Sequence, residues 1–262
     1  MRALVTGASR GIGRAIAEAL VRDGYEVIGT ARRPEALSDA ERVPGVRYLP
    51  LDLGDESGIA AVARAAGDVD VLVSNAGQSQ IGAIEEVPLE RARAIFQTNL
   101  FGAMSLIQKI IPGMRARRQG TVIGIASFAA VTPVPFQSIY ASSKAAFVAL
   151  HTSLRHEVRP WGIRVAVVAP LDINTTIPLE DCCGEGSPYA PLVAAVRSRR
   201  DAGLAAAPGP EVVARTVMRV LHARRPRLFS VAGRGAWRTG FLAQHLPSAV
   251  VERVVRGRYG LT

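Results

Sequence analysis

Short runs rich in Val and Ile alternate along this chain with segments whose apolar residues recur at the helical period. A strand that is apolar on both faces belongs in a parallel sheet covered on both sides, and the intervening helices supply that cover. The pattern predicts strands over Arg2–Thr6, Glu26–Ala31, Val46–Leu51, Val69–Ser74, Thr121–Ser127, Arg164–Ala169 and Arg227–Val231. Helices are expected over Ile12–Arg22, Glu56–Ala66, Leu89–Arg118, Ser138–Val158 and Glu211–His222, the third long enough to be two helices run together. The expected fold class is therefore α/β, a doubly wound parallel sheet of about seven strands with helices on both faces. Residues 171–209 carry Pro178, Pro188, Pro191 and Pro208, show no strand pattern, and are expected to form a lid. With no internal repeat or low-complexity tract, the reading is one domain over residues 1–262, with a C-terminal segment at about 234–262.

Hydrophobic residues at 48% and charged residues at 21% exclude a largely disordered chain. No apolar run approaches the roughly 18 residues of a membrane-spanning helix. Met1–Thr6 gives way to glycine too soon for a signal peptide, so a cytoplasmic protein is expected. The two cysteines, Cys182 and Cys183, are adjacent; they cannot staple distant elements, Cys-x-x-Cys metal spacing is absent, and no metal is expected. The net charge of +10 comes almost entirely from arginine, Lys109 and Lys144 being the only lysines. Without base-stacking aromatics between the arginines, no nucleic-acid partner is expected.

Between the first strand and the first helix runs Thr6-Gly7-Ala8-Ser9-Arg10-Gly11-Ile12-Gly13. Glycines let a backbone turn tightly and approach a ligand, and free amides at a helix start favour a pyrophosphate. A dinucleotide is the natural occupant; the competing reading is a tight turn with incidental glycines.

The Gly-xxx-Gly-x-Gly spacing resembles that of the short-chain dehydrogenase/reductase family, a Rossmann-type fold, and the resemblance continues in order along residues 1–175. Ser74-Asn75-Ala76-Gly77 is similar to the family's Asn-Asn-Ala-Gly segment, with serine in the first place. Asn99, Ser127, Tyr140 and Lys144 match its catalytic Asn, Ser and Tyr-xxx-Lys, and Pro170 with Thr175 resembles the stretch after its sixth strand. The resemblance implies cofactor contacts from Gly7, Ser9, Arg10, Gly11, Ile12, Gly13, Arg32, Asp52, Leu53, Asn75, Ala76, Gly77, Tyr140, Lys144, Pro170, Ile173 and Thr175. It also implies bacterial ketoreductases and hydroxysteroid-dehydrogenase-like members as the nearest kinds. Leu171 in place of glycine, Gly124 in place of a larger residue and Ala130 in place of glycine depart from the pattern.

The second strand ends in Thr30-Ala31-Arg32-Arg33, with no carboxylate to accept from ribose hydroxyls or repel a 2′-phosphate. Arg32 offers a planar, charge-assisted fork, and the resemblance brings Arg10 to the same pocket, so NADPH/NADP+ is expected over NADH. Arg33 is either a second contact or a solvated charge at a helix entry. Asp52 either meets the adenine, as the resemblance implies, or caps a strand end.

Tyr140 and Lys144 are spaced i and i+4, on one face of a helix. An ammonium about 5 Å from a phenol, at an effective dielectric near 20, contributes roughly 3 kcal/mol, enough to bring the phenol toward neutral pH. Ser127, at a strand's C-terminal end, can donate to a carbonyl oxygen as charge develops. By resemblance, Asn99 holds a water that relays protons to Lys144, and Lys144 holds the nicotinamide ribose. The expected reaction is reduction of a ketone, with Tyr140 as general acid. Taken singly, Tyr140 reads as a core or interface aromatic, Lys144 as a surface charge and Ser127 as a strand-end cap; taken together, after a phosphate turn and at this spacing, they read as a catalytic set.

Candidate substrate contacts are Ser127, Phe128, Val134, Tyr140, Leu171 and Ile177, with Val131, Phe136, Leu179 and Leu192 as further wall or core residues. They suit a bulky, mainly apolar carbonyl or alcohol, a secondary metabolite among the candidates. His151 and His156 are expected at the surface or against a partner, and Cys182 and Cys183 as loop thiols. The tail with Trp237, Phe241, Leu242, Leu246, Val250, Val251, Val254 and Val255 either packs on its own domain or lies on a membrane surface. A homodimer or homotetramer is implied by the resemblance. Two other readings compete: a membrane-associated steroid- or retinoid-type alcohol dehydrogenase, and a non-catalytic nucleotide-sensing protein.

Overall fold

A computed structural model describes residues 1–175, 177–235 and 245–261. Trp237, Phe241 and Leu242 lie outside the described residues. In chain order the elements are β1 (Arg2–Val5), α1 (Gly11–Arg22), β2 (Glu26–Ala31), β3 (Val46–Pro50), α2 (Glu56–Ala66), β4 (Val71–Ser74), β5 (Ser79–Ile81) and α3 (Leu89–Phe96). A π turn at Gln97–Phe101 leads into α4 (Gly102–Arg117), followed by β6 (Gly120–Ile125), α5 (Ser138–Val158), β7 (Ile163–Pro170) and β8 (Leu179–Asp181). The chain continues through α6 (Ala190–Ala205), α7 (Glu211–His222), β9 (Phe229–Ala232) and α8 (Ser248–Tyr259).

Seven strands form one parallel sheet in the order β3-β2-β1-β4-β6-β7-β9. Side chains alternate across it. Ala3 and Val5, Val71 and Val73, Ile123 and Ile125 face one core with Ile16 and Leu20 of α1 and Val213 and Val217 of α7. Leu4, Leu72, Val122 and Val165 face the other core with Ile59 of α2, Leu106 and Ile110 of α4 and Val158 of α5. Full burial of each such side chain contributes roughly 1.5–3 kcal/mol, so both faces must be covered and the parallel sheet follows from the sequence pattern. The strand order reverses between β1 and β4, which opens a crevice at the carboxyl ends of the central strands.

The long third helical segment is two helices run together, α3 and α4, joined through the π turn. One expectation needs correction. Residues 171–209 are not strandless: β8 pairs in parallel with β5, Ser79 opposite Leu179, and α6 follows. Three-residue strands are too short to show a period of two, and the prolines on either side masked this pairing.

Candidate active site

The glycine turn is held from beneath by side chains. Thr6 Oγ1 accepts from the amides of Asn75 (2.8 Å) and Ala76 (3.0 Å), and Asn75 Nδ2 donates to Thr6 O at 2.9 Å. Segment 75–77 is thereby locked to the turn. A Cβ at Gly13 would lie 2.1 Å from Gly7 O, so any side chain there would force turn and helix apart. Gly11, at φ +53°, would also drive a Cβ into Thr175 Oγ1. Helix α2 satisfies its first-turn amides with Asp55, which accepts from Ser57 N at 3.0 Å and Gly58 N at 3.1 Å. Helix α1 has no side-chain cap and no acidic residue in its first turn, which leaves its amides open to an anion. The residues present thus fit a dinucleotide: a close-approach backbone, uncapped amides, and Arg10 and Arg32 on the same cavity. Asp52 borders that cavity and also caps its strand end, accepting from Gly54 N at 2.8 Å. Arg33 is exposed at the entry to a short 3-10 turn and is not part of the cavity wall.

The small β5–β8 sheet sets the start of α5. Gln80 Oε1 accepts from Tyr140 N at 3.2 Å, and Gln137 Nε2 donates to Ser79 Oγ at 3.1 Å. Tyr140 is thereby placed on the cavity wall that Ser127 also borders, and Ser127 Oγ accepts from Ala129 N at 3.1 Å. Burial pushes the phenol up, opposed by the Ser127 hydroxyl and then by the charge of Arg200. Lys144 does not supply the pull expected from its spacing. Its ammonium is turned to Ile125 O, 3.0 Å away, and burial without a carboxylate partner lowers it to about 8.

Asn99 is buried in the π turn, a distortion frequent at functional sites. Its Nδ2 donates to Gln78 O (2.9 Å) and Ser143 Oγ (3.0 Å), and its Oδ1 accepts from Gln78 N at 2.9 Å. A Cβ on Gly77 would sit 3.1 Å from Asn99 Oδ1 and 3.4 Å from Lys144 Nζ, so glycine is what lets these two groups share one spot.

A cavity of about 880 Å³ runs from the glycine turn to the hydroxyl pair and on to α6 and α8. Of the expected wall, Ser127, Phe128, Val134, Tyr140, Leu171 and Ile177 border it. So do all expected cofactor residues except Gly13, which is packed behind the turn. Val131, Phe136, Leu179 and Leu192 do not: Phe136 and Leu179 pack into a separate core with Val193, Val196 and Tyr259, and Leu192 is exposed. Leu171 lies against Gly233, where a Cβ would be 2.9 Å from its own Cβ. His151 is not at the surface but fully buried; a Cβ at Gly124 would lie 2.6 Å from its Nε2, so the glycine in β6 makes room for the imidazole. The lid and the C-terminal segment, both expected to frame the substrate, bring Arg200, Leu204, Arg258 and Tyr259 to the wall, none of which sequence reasoning singled out as a contact. The signal for Arg200 was present: it continues the Val193–Val196 stripe of α6, ahead of Leu204.

These features define a nucleotide-binding α/β protein with a Ser–Tyr hydroxyl pair at the switch point of its sheet. A family profile described as short chain dehydrogenase matches residues 1–180, and the chain belongs to the short-chain dehydrogenase/reductase family. It is 33% identical over 195 residues to a 3-ketodihydrosphingosine reductase from Bacteroides thetaiotaomicron, covering 71% of either chain. Among curated relatives the matches span 62% to 76% of the relative's length. The crystal structure of a short-chain dehydrogenase from Streptomyces avermitilis superposes with a TM-score of 0.83 at 36% identity, over 99% of this chain and 96% of that one. A metagenomic short-chain oxidoreductase in complex with NADP superposes with a TM-score of 0.70 at 30% identity, over 88% and 96%. Among the described residues, no helix is long and apolar enough to cross a membrane.

Proposed function

We propose that this oxidoreductase uses NADPH to reduce the ketone of a bulky, mainly apolar small molecule to an alcohol, within the single domain read from the sequence. One observation carries the reading: the Ser127 and Tyr140 hydroxyl groups border the same cavity as the open α1 amides and the cations Arg10 and Arg32. The bound nicotinamide supplies the hydride. Arg32 and Arg10 hold the nucleotide's phosphates, and Gly7, Gly11 and Gly13 let the backbone approach them. Ser127 donates to the substrate oxygen and fixes its position. Burial keeps the Tyr140 phenol protonated at neutral pH, which suits a donor that gives up its proton only as negative charge builds on that oxygen. Lys144, buried beside Asn99, orients the ribose and hands protons inward to Tyr140. Phe128, Val134, Leu171 and Ile177 supply an apolar seat. The ketone chemistry agrees with the name of the Bacteroides relative, and the cofactor choice with the NADP complex of the metagenomic neighbour. A cytoplasmic homodimer or homotetramer belongs to the same reading; Phe101, exposed in the π turn ahead of α4, offers apolar surface for it.

The test is NADPH oxidation with a panel of aryl and alicyclic ketones, repeated with Tyr140→Phe. Turnover should fall by about 10²–10⁴-fold in the variant while NADPH affinity, read by nucleotide fluorescence, stays within about two-fold. No oxidation with any ketone, or equal rates for both proteins, rejects the proposal.

A further inference from the structure

Helix α6 buries Val193 and Val196, and at the helical period the next inward positions are Arg200 and Leu204, which both border the cavity. An arginine therefore occupies a place that the rest of the stripe gives to apolar side chains. It is not a snorkelling surface residue: its side chain is 14% exposed. Charges are placed this deep only when something pairs with them.

The other cations on this side of the cavity are accounted for. Arg91 is paired with Glu180 at 3.0 Å, and Arg258 with Asp172, which lines the same wall. Lys144 is turned to Ile125 O. Among the described residues Arg200 has only its chain neighbour Asp201, bonded through a single Nη1 at 2.8 Å, and that carboxylate is 56% exposed and outside the cavity wall. Arg200 borders the cavity that Tyr140 also lines, and a guanidinium has five N–H donors, of which this contact uses one. Arg200, Tyr140 and Tyr259 border the same cavity, and the Arg200 charge pulls down both phenols.

We infer that Arg200 recognises an anionic group on the substrate, so that the ketone this site takes is an oxoacid: an apolar body with a carboxylate a few bonds from the carbonyl. The inference rests on the ketone-reductase reading and names the substrate class within it. A carboxylate accepting two parallel N–H bonds gives the buried guanidinium the partner that Asp201 supplies from one side only. It also fixes which end of an otherwise apolar molecule enters first, and so which carbonyl reaches Tyr140.

The experiment compares aryl oxoacids with their methyl esters: benzoylformate, 3-benzoylpropionate and 5-benzoylpentanoate, which differ in the reach from carbonyl to carboxylate. Each pair is titrated calorimetrically into the NADP+-loaded protein and separately assayed for NADPH oxidation. At least one acid should bind ten-fold or more tighter than its ester. Arg200→Gln should lower that acid-to-ester ratio at least ten-fold in both Kd and kcat/KM, and Arg200→Lys should restore part of it. Rates for both compounds also fall in Arg200→Gln, because its charge acts on Tyr140, so the ratio is the readout. Equal binding of acid and ester by the wild-type protein overturns the inference, as does a ratio that Arg200→Gln leaves unchanged. Should Arg200→Gln not fold, the wild-type pair and Arg200→Lys still decide. The two proposals fail separately: tight, Arg200-dependent binding of the acid without NADPH oxidation rejects the reductase reading alone, and oxidation indifferent to the carboxylate rejects the oxoacid alone.

Discussion

The Lys144 ammonium donates to the carbonyl oxygen of Ile125 at 3.0 Å, across the floor of the cavity. Ile125 is the last residue of β6, and Ser127 follows two residues later, so one strand end both anchors the lysine and presents the serine. The anchor holds an unfavourable charge: Lys144 is 3% exposed, its second contact is the Phe147 ring at 5.2 Å, and burial lowers it from 10.5 to about 8. A folded-state value below the unfolded one means that between about pH 8 and 10.5 the unfolded chain binds the extra proton, so stability rises with pH through that window. At neutral pH the buried charge costs ~3 kcal/mol, against about 1 kcal/mol for the hydrogen bond to Ile125.

Lys144→Met, similar in length and uncharged, should therefore raise Tm at pH 7 by ~4–8 °C while lowering turnover by about 100-fold or more. Calorimetric melts and ketone assays check both halves. A lowered Tm would show that the ammonium is well paired in the folded protein.

His151 predicts an acid sensitivity. Its Nδ1 donates to Phe147 O at 2.8 Å, which leaves Nε2 as a buried acceptor without a hydrogen-bond partner among the described residues. Burial, and secondarily the nearby Lys144 charge, hold the imidazole at about 4. The unfolded chain takes up a proton near 6.5, the folded one only near 4, so this group's stability is complete above 6.5 and is lost as pH falls through that interval. Between pH 7.5 and 5 the loss should be about 2 kcal/mol. Urea titrations at both pH values should show it in the wild-type protein and not in His151→Leu; a slope that survives the substitution assigns it elsewhere.

The fold was legible because its signal is periodic and strong. Leu4, Leu72, Val122 and Val165 alternate with Val5, Val73, Ile123 and Ala166 across two cores, and no arrangement other than a covered parallel sheet buries both sets. The site residues on that scaffold were legible for a related reason: Gly7, Gly11 and Gly13 satisfy backbone constraints written locally in sequence. What stayed hidden depends on contacts between distant segments. Nothing local in His-Thr-Ser tells that His151 faces Gly124, nor that Arg200 on α6 reaches the cavity wall. The i, i+4 spacing correctly put Tyr140 and Lys144 on one helix face, but it carried no information about Ile125 O, which captures the ammonium that spacing alone had assigned to the phenol.

The proposed preference for NADPH is tested at Arg32. This arginine follows the last residue of β2, is exposed, and borders the cavity together with Arg10, with no carboxylate at the strand end. A guanidinium–phosphate pair contributes about 1.5–3 kcal/mol, corresponding to roughly 10–100-fold in affinity. Arg32→Asp removes that pair, adds a charge that repels a 2′-phosphate, and supplies an acceptor for ribose hydroxyls. KM for NADPH should rise by about 10–100-fold and KM for NADH should fall, with kcat for either nucleotide changing less, because Arg32 lies at the far end of the cavity from Tyr140. Steady-state kinetics with both nucleotides separate the outcomes. If KM for NADPH is unchanged in Arg32→Asp, the phosphate is not held by Arg32 and the specificity must reside in the glycine turn, where Arg10→Ala would then carry the whole loss.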